Sequence, residues 1–550
     1  MNRVAYEEFE HSVSEIVTKI IVERPDGKRD ILKPFKYVNA DITYDNEGYE
    51  YIKPGESDYR YRYAADCEGE YTICEMSGET VLDKYSFTAA CGERHGYIKV
   101  SARDKRYFSY VDGTPFMPIG MNMAFPECFA VSNGEEFGHS DGCAYLGLRQ
   151  YELWFKKAAE SGVNLVRLWC GHDYFRVDTK EADEIDYYRF ARLDKVIELA
   201  KKYGIKLKLT LEQFRRVDYS GDDSYMGRLF LKQFYKKGRR CESNREWLTD
   251  SLWQSLWLDK VEEYAKRYAY NDSIFAIELW NEMNCFETIL DDSEMFAEWN
   301  RNTSKKMHEL FPNHMIVNSL GSCDCNHVIK IYNNFPWNAF DFKQVHSYLD
   351  QGAQLSEVAN NSIDGLTKVY SEQSVSDMPF IVAETGAVND CHSGPFRYYL
   401  SDDMGILFAD CVYTPLFLGC ASCGNIWHWD GRYVSAKNLY HMYEPLKKLT
   451  EDIAFDEEEF TSENFSDEKA YVLALRGKKH DLYYIRNKSA SWQNILRDLI
   501  EPDIIDEINI DISGKAEIIP IWDDDAYIEN TRVKNIRMGL FIRVNKENAL

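Results

Sequence analysis

Two apolar runs in this chain end in a carboxylate. Ile274-Phe-Ala-Ile-Glu-Leu-Trp280 leads into Asn281 and Glu282, and Phe380-Ile-Val-Ala383 leads into Glu384. A glutamate that closes a buried strand is held at the strand's mouth by stiff backbone. Two such glutamates on opposite sides of a ring of strands can face each other at about 5 Å, where one protonates a glycosidic oxygen and the other attacks the anomeric carbon. Either glutamate alone could equally cap a loop. Both together, with Asn281 adjacent, favour paired-carboxylate chemistry, which needs no metal and no organic cofactor.

Strand–helix alternation must position these groups, and the chain supplies it. Strand patterns at 116–123, 164–169, 206–211, 273–281, 314–319, 344–348, 379–384 and 424–429 alternate with helical periods at 151–161, 193–203, 253–268, 295–310 and 400–417, with 438–449 following the last strand. Eight such units predict an α/β fold, a (β/α)8 TIM barrel over residues 104–450, whose active groups gather where strands end. Long loops at 124–147 and 214–247 take up the excess over the usual ~250 residues. Before the barrel, residues 1–103 alternate in short runs between turns such as Asp26-Gly27 and Pro54-Gly55, predicting an N-terminal β-sandwich. After it, alternation at 471–475, 481–485, 508–512, 516–519 and 539–544 predicts a C-terminal β-sandwich-like domain over 451–550.

Trp280-Asn281-Glu282 and Ala383-Glu384-Thr385-Gly386 resemble the two signatures of glycoside hydrolase clan A, most of all family 5, the cellulase, mannanase and β-glycosidase superfamily. The resemblance covers roughly residues 107–449. It implies that Glu282 is the acid/base, Glu384 the nucleophile, and Asn281 a partner of the sugar 2-hydroxyl. Residues 114–122 resemble the clan's opening strand. Residues 162–169 resemble its second strand, whose arginine, here Arg167, supports the nucleophile. His346-Ser347-Tyr348 resembles the His-x-Tyr of strand six, whose tyrosine lies beside the nucleophile. Residues 425–429 resemble strand eight, whose tryptophan floors the sugar site. Alternation puts Trp427 and Trp429 on one face, so one of them reaches the sugar, and Trp427 is favoured. One departure stands out: the histidine usual near the end of strand three is replaced by Leu209-Thr-Leu-Glu212-Gln213. Glu212 or Gln213 fills that role, or the chain belongs to a neighbouring family of the clan.

The chemistry sets an electrostatic condition. Glu282 must hold a proton near neutral pH, although a free glutamate titrates near 4.3. A negative Glu384 close by is expected to raise it, while Arg167 and Tyr348 keep Glu384 ionised.

Other candidates weaken on inspection. His172, beside Asp173, either contacts a sugar hydroxyl or stabilises its loop. Cys420-Ala-Ser-Cys423 and Cys323-Asp-Cys325 lack the second pair or histidines a zinc site needs. Asp390-Cys391-His392 lacks an orienting third group. Trp337 and the aromatics Tyr219, Tyr225, Phe230, Phe234 and Tyr235 either build a leaving-group site or pack their loop. The basic run 232–240 reads first as a solvated loop.

The 550 residues carry a net charge of −26, with 45% hydrophobic and 14% aromatic residues. Such acidity disfavours a nucleic-acid partner. No apolar leader opens the sequence and no apolar run spans a membrane, so a cytoplasmic location is expected, with reduced thiols. There, soluble oligosaccharides or small glycosides are the expected substrates. These features predict a retaining β-glycoside hydrolase, exo-acting, with endo-β-glucanase or endo-β-mannanase as alternatives. A transglycosylase, a non-catalytic carbohydrate-binding protein and a homo-oligomer also stay open.

Overall fold

The computed structural model describes residues 2–130, 143–179, 181–213, 235–236, 238–285, 293–390, 392 and 394–546. Tyr219, Tyr225, Phe230, Phe234, Cys391 and residues 232–234 and 237 of the basic run 232–240 lie outside these residues, as does the side chain of Tyr235.

The central scaffold is a set of parallel strands: β1 (Gly120–Asn122), β2 (Leu165–Trp169), β3 (Lys206–Gln213), β4 (Ile274–Asn281), β5 (Met315–Val317), β6 (Lys343–Asp350) and β7 (Phe380–Val388). Strands β1 to β5 pair in chain order as one sheet, and β6 pairs β7 in another. A single parallel bridge, Ser322 to His346, joins the β5 side to β6. On the far side Ile426 bridges both Met121 and Thr385. Around it Trp427 N–H donates to the Thr385 carbonyl at 2.7 Å, Thr385 N–H to Asn425 at 3.0 Å, and Asn122 N–H to Ile426 at 3.1 Å. The predicted eighth strand, 424–429, is thus a bridge about one residue long. His428 takes a left-handed φ of 40°, which ends the extended backbone there.

The strands are apolar on both faces because helices cover them outside and side chains fill them inside. Among the covering helices are α1 (Leu148–Glu160), α2 (Phe190–Tyr203), α3 (Ser251–Tyr268), α4 (Ser293–Leu310), α5 (Asn326–Asn334) and α6 (Ser362–Gln373). Their buried stripes, such as Leu193, Val196, Ile197 and Ala200 on α2, join one core with the strands. Cys420 and Cys423 are buried in it, and burial pushes the Cys423 thiol up to about 12. Among the described residues no helix is long and apolar enough to cross a membrane.

Two β-regions flank this unit. At the N-terminal end a five-stranded sheet and a second sheet built on Phe9–Val13, Phe35–Tyr44 and Glu50–Tyr63 share a core of Ile20, Val22, Tyr61, Tyr63, Tyr71 and Phe87. The predicted opening strand, 116–123, is split: Pro115–Phe116 belongs to a small antiparallel sheet with Phe108–Tyr110 and Ile98–Val100, and only β1 joins the parallel set. At the C-terminal end a five-stranded antiparallel sheet and a three-stranded one share Val472, Tyr483, Ile485, Val533 and Ile542. Its other face, through Tyr484 and Phe541, packs on Tyr413 and Phe417 of the main core. The strand expected at 508–512 lies at Ile505–Asn509.

The loop expected at 124–147 does more than connect. Cys128–Ala130 pairs with Cys143–Tyr145, and Tyr145 pairs with Glu50 of the N-terminal sheet. Glu50 is fully buried there. It accepts from Arg192 Nε on α2 at 2.8 Å, from Leu148 N–H at the start of α1 at 2.7 Å and from the Tyr174 hydroxyl at 3.1 Å. Gly147 (φ 62°) precedes α1, and a β-carbon there would collide with the Glu50 carboxylate. Removing Glu50 strands a buried Arg192. Glu50→Ala should therefore cost about 3–5 kcal/mol, read as a lower urea midpoint, with Glu50→Gln costing less. Unchanged midpoints would contradict this account of the joint.

Candidate active site

Strand β4 carries Glu282 to the site through a strained turn. The chain leaves Asn281 and enters a left-handed backbone at Glu282, φ 52°, a conformation that costs a non-glycine residue of order 1–3 kcal/mol. Ser319, just beyond β5, holds it there: its hydroxyl accepts from Glu282 N–H at 2.9 Å and donates to the Trp280 carbonyl at 3.0 Å, and its own carbonyl accepts from Met283 N–H at 2.9 Å. On β7, Glu384 is buried and both its oxygens are engaged. Arg167 Nη1 donates to Oε1, and the Tyr348 hydroxyl donates to Oε2 at 2.6 Å.

The two carboxylates meet. Oxygens of Glu282 and Glu384 and a ring nitrogen of His346 all lie within 4.8 Å of one another. His346 Nδ1 stands 2.8 Å from Glu282 Oε1 and 3.4 Å from Glu384 Oε2. Burial pushes His346 down to about 4, so the ring is neutral near pH 7. Asn281 offers its amide oxygen to Arg167 Nη2 at 2.7 Å, which leaves its buried amide nitrogen without a partner among the described residues.

Glu282 rises to about 7. Burial is the first cause; the charges of Asp324 and Glu278 add to it, and Arg167 opposes. This corrects the expectation that Glu384 is the charge responsible, since Glu384 lies against the Arg167 guanidinium.

Trp427 is half-buried, its ring 4.9 Å from both Trp169 and Trp429. Trp429 is fully buried and packs edge-on to Phe125 and Trp154. Of the two, Trp427 is the one with accessible surface. His428 is buried with an edge to Tyr399, and burial pushes it down to about 3. His172 stacks on Phe125 at 4.0 Å and its Nδ1 accepts from Tyr174 N–H, an arrangement that holds its loop. Glu212 departs from its expected role. Its carboxylate pairs with Lys260 and accepts from Trp257 Nε1 at 3.1 Å, both on α3.

Four residues of the site were not singled out from the sequence. Glu278 accepts from Arg167 Nε at 2.8 Å and Nη2 at 2.6 Å, and Lys208 stands 3.3 Å from it. Asn122 accepts from Arg167 Nη1 at 3.3 Å and donates to the carbonyls of Ala383 and Asn425, tying β1 to its neighbours. Asp324 sits beyond Ser322 on the rim. The signal for the first two was present: a charge in the middle of an apolar strand that is covered outside must point inward.

Two clusters have the ligand types for a metal, Glu282–His346–Glu384 and Asp324–Asp350–His392. In the first, both oxygens of Glu384 already accept hydrogen bonds, one from a cation. In the second, the His392 ring nitrogen is bonded to Asp350.

Because Glu282 prefers its proton when folded, the native state binds that proton more tightly than the unfolded chain between pH 4.5 and about 7. Stability contributed by this group is full below 4.5, falls as pH rises through that window and is level above it. Glu282→Gln has no such proton to lose. It should gain on the parent by roughly 3 kcal/mol between pH 4.5 and 8, measured by urea unfolding at both values. An equal difference at the two pH values would contradict the assignment.

Residues 131–399 match the family model described as cellulase (glycosyl hydrolase family 5). Mannan endo-1,4-beta-mannosidase A of Emericella nidulans is 27% identical over 186 residues, covering 31% of this chain and 44% of that one. A probable mannan endo-1,4-beta-mannosidase A of Aspergillus flavus is 27% identical over 244 residues, covering 40% and 58%. The chain thus spans about half the length of these curated relatives. A crystal structure of a putative glycoside hydrolase from Bacteroides vulgatus superposes over 99% of this chain and 100% of its own with a TM-score of 0.56 at 14% identity, a likeness of fold. The matched segment, which holds both glutamates, Arg167, His346 and Tyr348, is a glycoside hydrolase domain of clan A, family 5-like.

Proposed function

We propose that this protein is a retaining β-glycoside hydrolase whose parallel strands and bridges form a (β/α)8 barrel between the two β-domains, divided near residues 103 and 450. The observation that carries the reading is the approach of the Glu282 and Glu384 oxygens to within 4.8 Å. Retaining pairs stand about 5–5.5 Å apart, whereas inverting pairs need about 6.5–9.5 Å to admit a water.

Glu384, oriented by Arg167 and Tyr348, attacks the anomeric carbon as Glu282 gives its proton to the departing oxygen. A glycosyl ester of Glu384 forms and the aglycone leaves. Glu282, now ionised, takes a proton from water, whose oxygen attacks the anomeric carbon and restores Glu384. His346 keeps the Glu282 carboxyl aimed and passes no net charge while neutral. The free Asn281 amide nitrogen is placed to donate to the sugar 2-hydroxyl, and Trp427 gives the ring an apolar floor.

The relatives named above are endo-acting mannosidases, which makes β-mannosides the first sugar to test. Exo action on soluble oligosaccharides follows from the proposed cytoplasmic location, and the two modes give different products from one substrate. Aryl β-glycosides of mannose and glucose, with soluble β-mannan and mannooligosaccharides, form the panel, and Glu384→Gln is the blank.

Glu384→Gln should abolish turnover without unfolding the protein. Glu282→Ala should lose about 10²–10⁴-fold on substrates with poor leaving groups and far less on activated aryl glycosides. Activity on the poor substrates should fall as pH rises through about 7, where Glu282 loses its proton. NMR of the first product should show the β-anomer; an α-anomer would overturn the mechanism.

A further inference from the structure

Double displacement requires two carboxylates, yet the interior beneath them holds two more charges, Glu278 on β4 and Lys208 on β3, both fully buried. Stability is a poor reason to bury them, because desolvation offsets most of what a buried pair gains. Their contacts run in one direction. Lys208 Nζ lies 3.3 Å from Glu278 Oε2 and donates to Gln344. Glu278 takes Arg167 Nε and Nη2 as a fork, at 2.8 and 2.6 Å. A guanidinium is planar and rigid, so fixing that edge fixes the direction of Nη1, which donates to Glu384 and to Asn122.

We propose that Glu278 and Lys208 are positioning residues that set the charge balance at Glu384 and Glu282 through Arg167. Glu278 aims the guanidinium; Lys208 cancels the charge that Glu278 brings, so that Arg167 meets Glu384 with its positive charge undiminished. With Glu384 ionised the four charges sum to zero. Once Glu384 is a glycosyl ester they sum to +1, and this surplus favours ionised Glu282, the form that deprotonates water. Burial, opposed by Glu278, holds Lys208 down to about 8, consistent with a charge kept at cost. Among the described residues, the other titratable groups facing these are Tyr348, His346 and Tyr332 at Glu384, and His346, Tyr332 and Asp324 at Glu282. The inference rests on the retaining-glycosidase reading above.

The test is the pH profile of kcat/KM on an aryl β-glycoside cleaved by the parent enzyme. Lys208→Met removes a positive charge and should move both limbs of the bell up by about one pH unit. Glu278→Gln removes a negative charge and should move both limbs down by about as much. The Lys208→Met/Glu278→Gln double variant should return the bell close to its parental position. A purely structural role lowers the bell without displacing it in opposite directions, and that result overturns the proposal. If the single variants do not fold, Gln344→Glu is the near-isosteric substitute: it sets a negative charge beside Lys208 and should move the bell up. A stationary bell there, or failure of all the variants to fold, also overturns it. A parent enzyme silent on the whole panel means that the glycosidase reading itself has failed, and this inference falls with it; an active parent with unmoved bells means that only the inference has.

Discussion

A guanidinium with no exposed surface has to be answered by acceptors from every side, and Arg167 is answered from three strands besides its own. Glu278 and Asn281 come from β4, Asn122 from β1 and Glu384 from β7, with the arginine itself on β2. Each partner is near the end of, or within, a strand whose position the others fix. The parallel set must therefore curve until β1 and β7 both come within reach of β2's side chain. The single bridges through Ile426 suffice to hold that edge because Asn122 and Arg167 pin the same residues from inside.

The same arrangement divides the two glutamates into different environments. Glu384 sits low, between a cation and a phenol, where both oxygens are oriented. Glu282 sits at the rim on a left-handed turn, facing neutral His346. Burial with only a distant countercharge keeps a proton on it near neutrality. Environment alone thus distinguishes two identical side chains as donor and attacker. The backbone strain at Glu282 is tolerated because Ser319 fastens the turn on both sides with hydrogen bonds.

Much of this could be read from the sequence, and the failures have physical causes. Glu282 and Glu384 were legible because each ends an apolar run, and Arg167, His346 and Tyr348 because residues 162–169 and 346–348 resemble the second and sixth strands of the clan. Glu212 was offered for the place of the histidine usual near the end of strand three; its pairing with Lys260, from a helix 48 residues later, is invisible to local spacing. The eighth strand misled because Asn425-Ile426-Trp427 has strand composition while the left-handed turn at His428 ends it close to the Ile426 bridges. Glu278 was overlooked as a polar member of an apolar run, and Lys208 as one polar position of the alternating run 206–213. In an isolated sheet such residues face water, but with helices outside they face the interior and each other.

The pairing of Tyr145 with Glu50 makes the first long connection of the parallel unit part of the N-terminal sheet. The two regions are therefore one piece of hydrogen-bonded fabric, though the chain reaches them about a hundred residues apart. Trimming the molecule to its hydrolase domain would leave the Cys143–Tyr145 strand with an open edge and Arg192 without its carboxylate. An exposed edge of that kind is a template for pairing with another chain. A shortened form would need a charged or proline-bearing edge to remain dispersed, and recombination between relatives would best exchange the N-terminal sheet together with this connection.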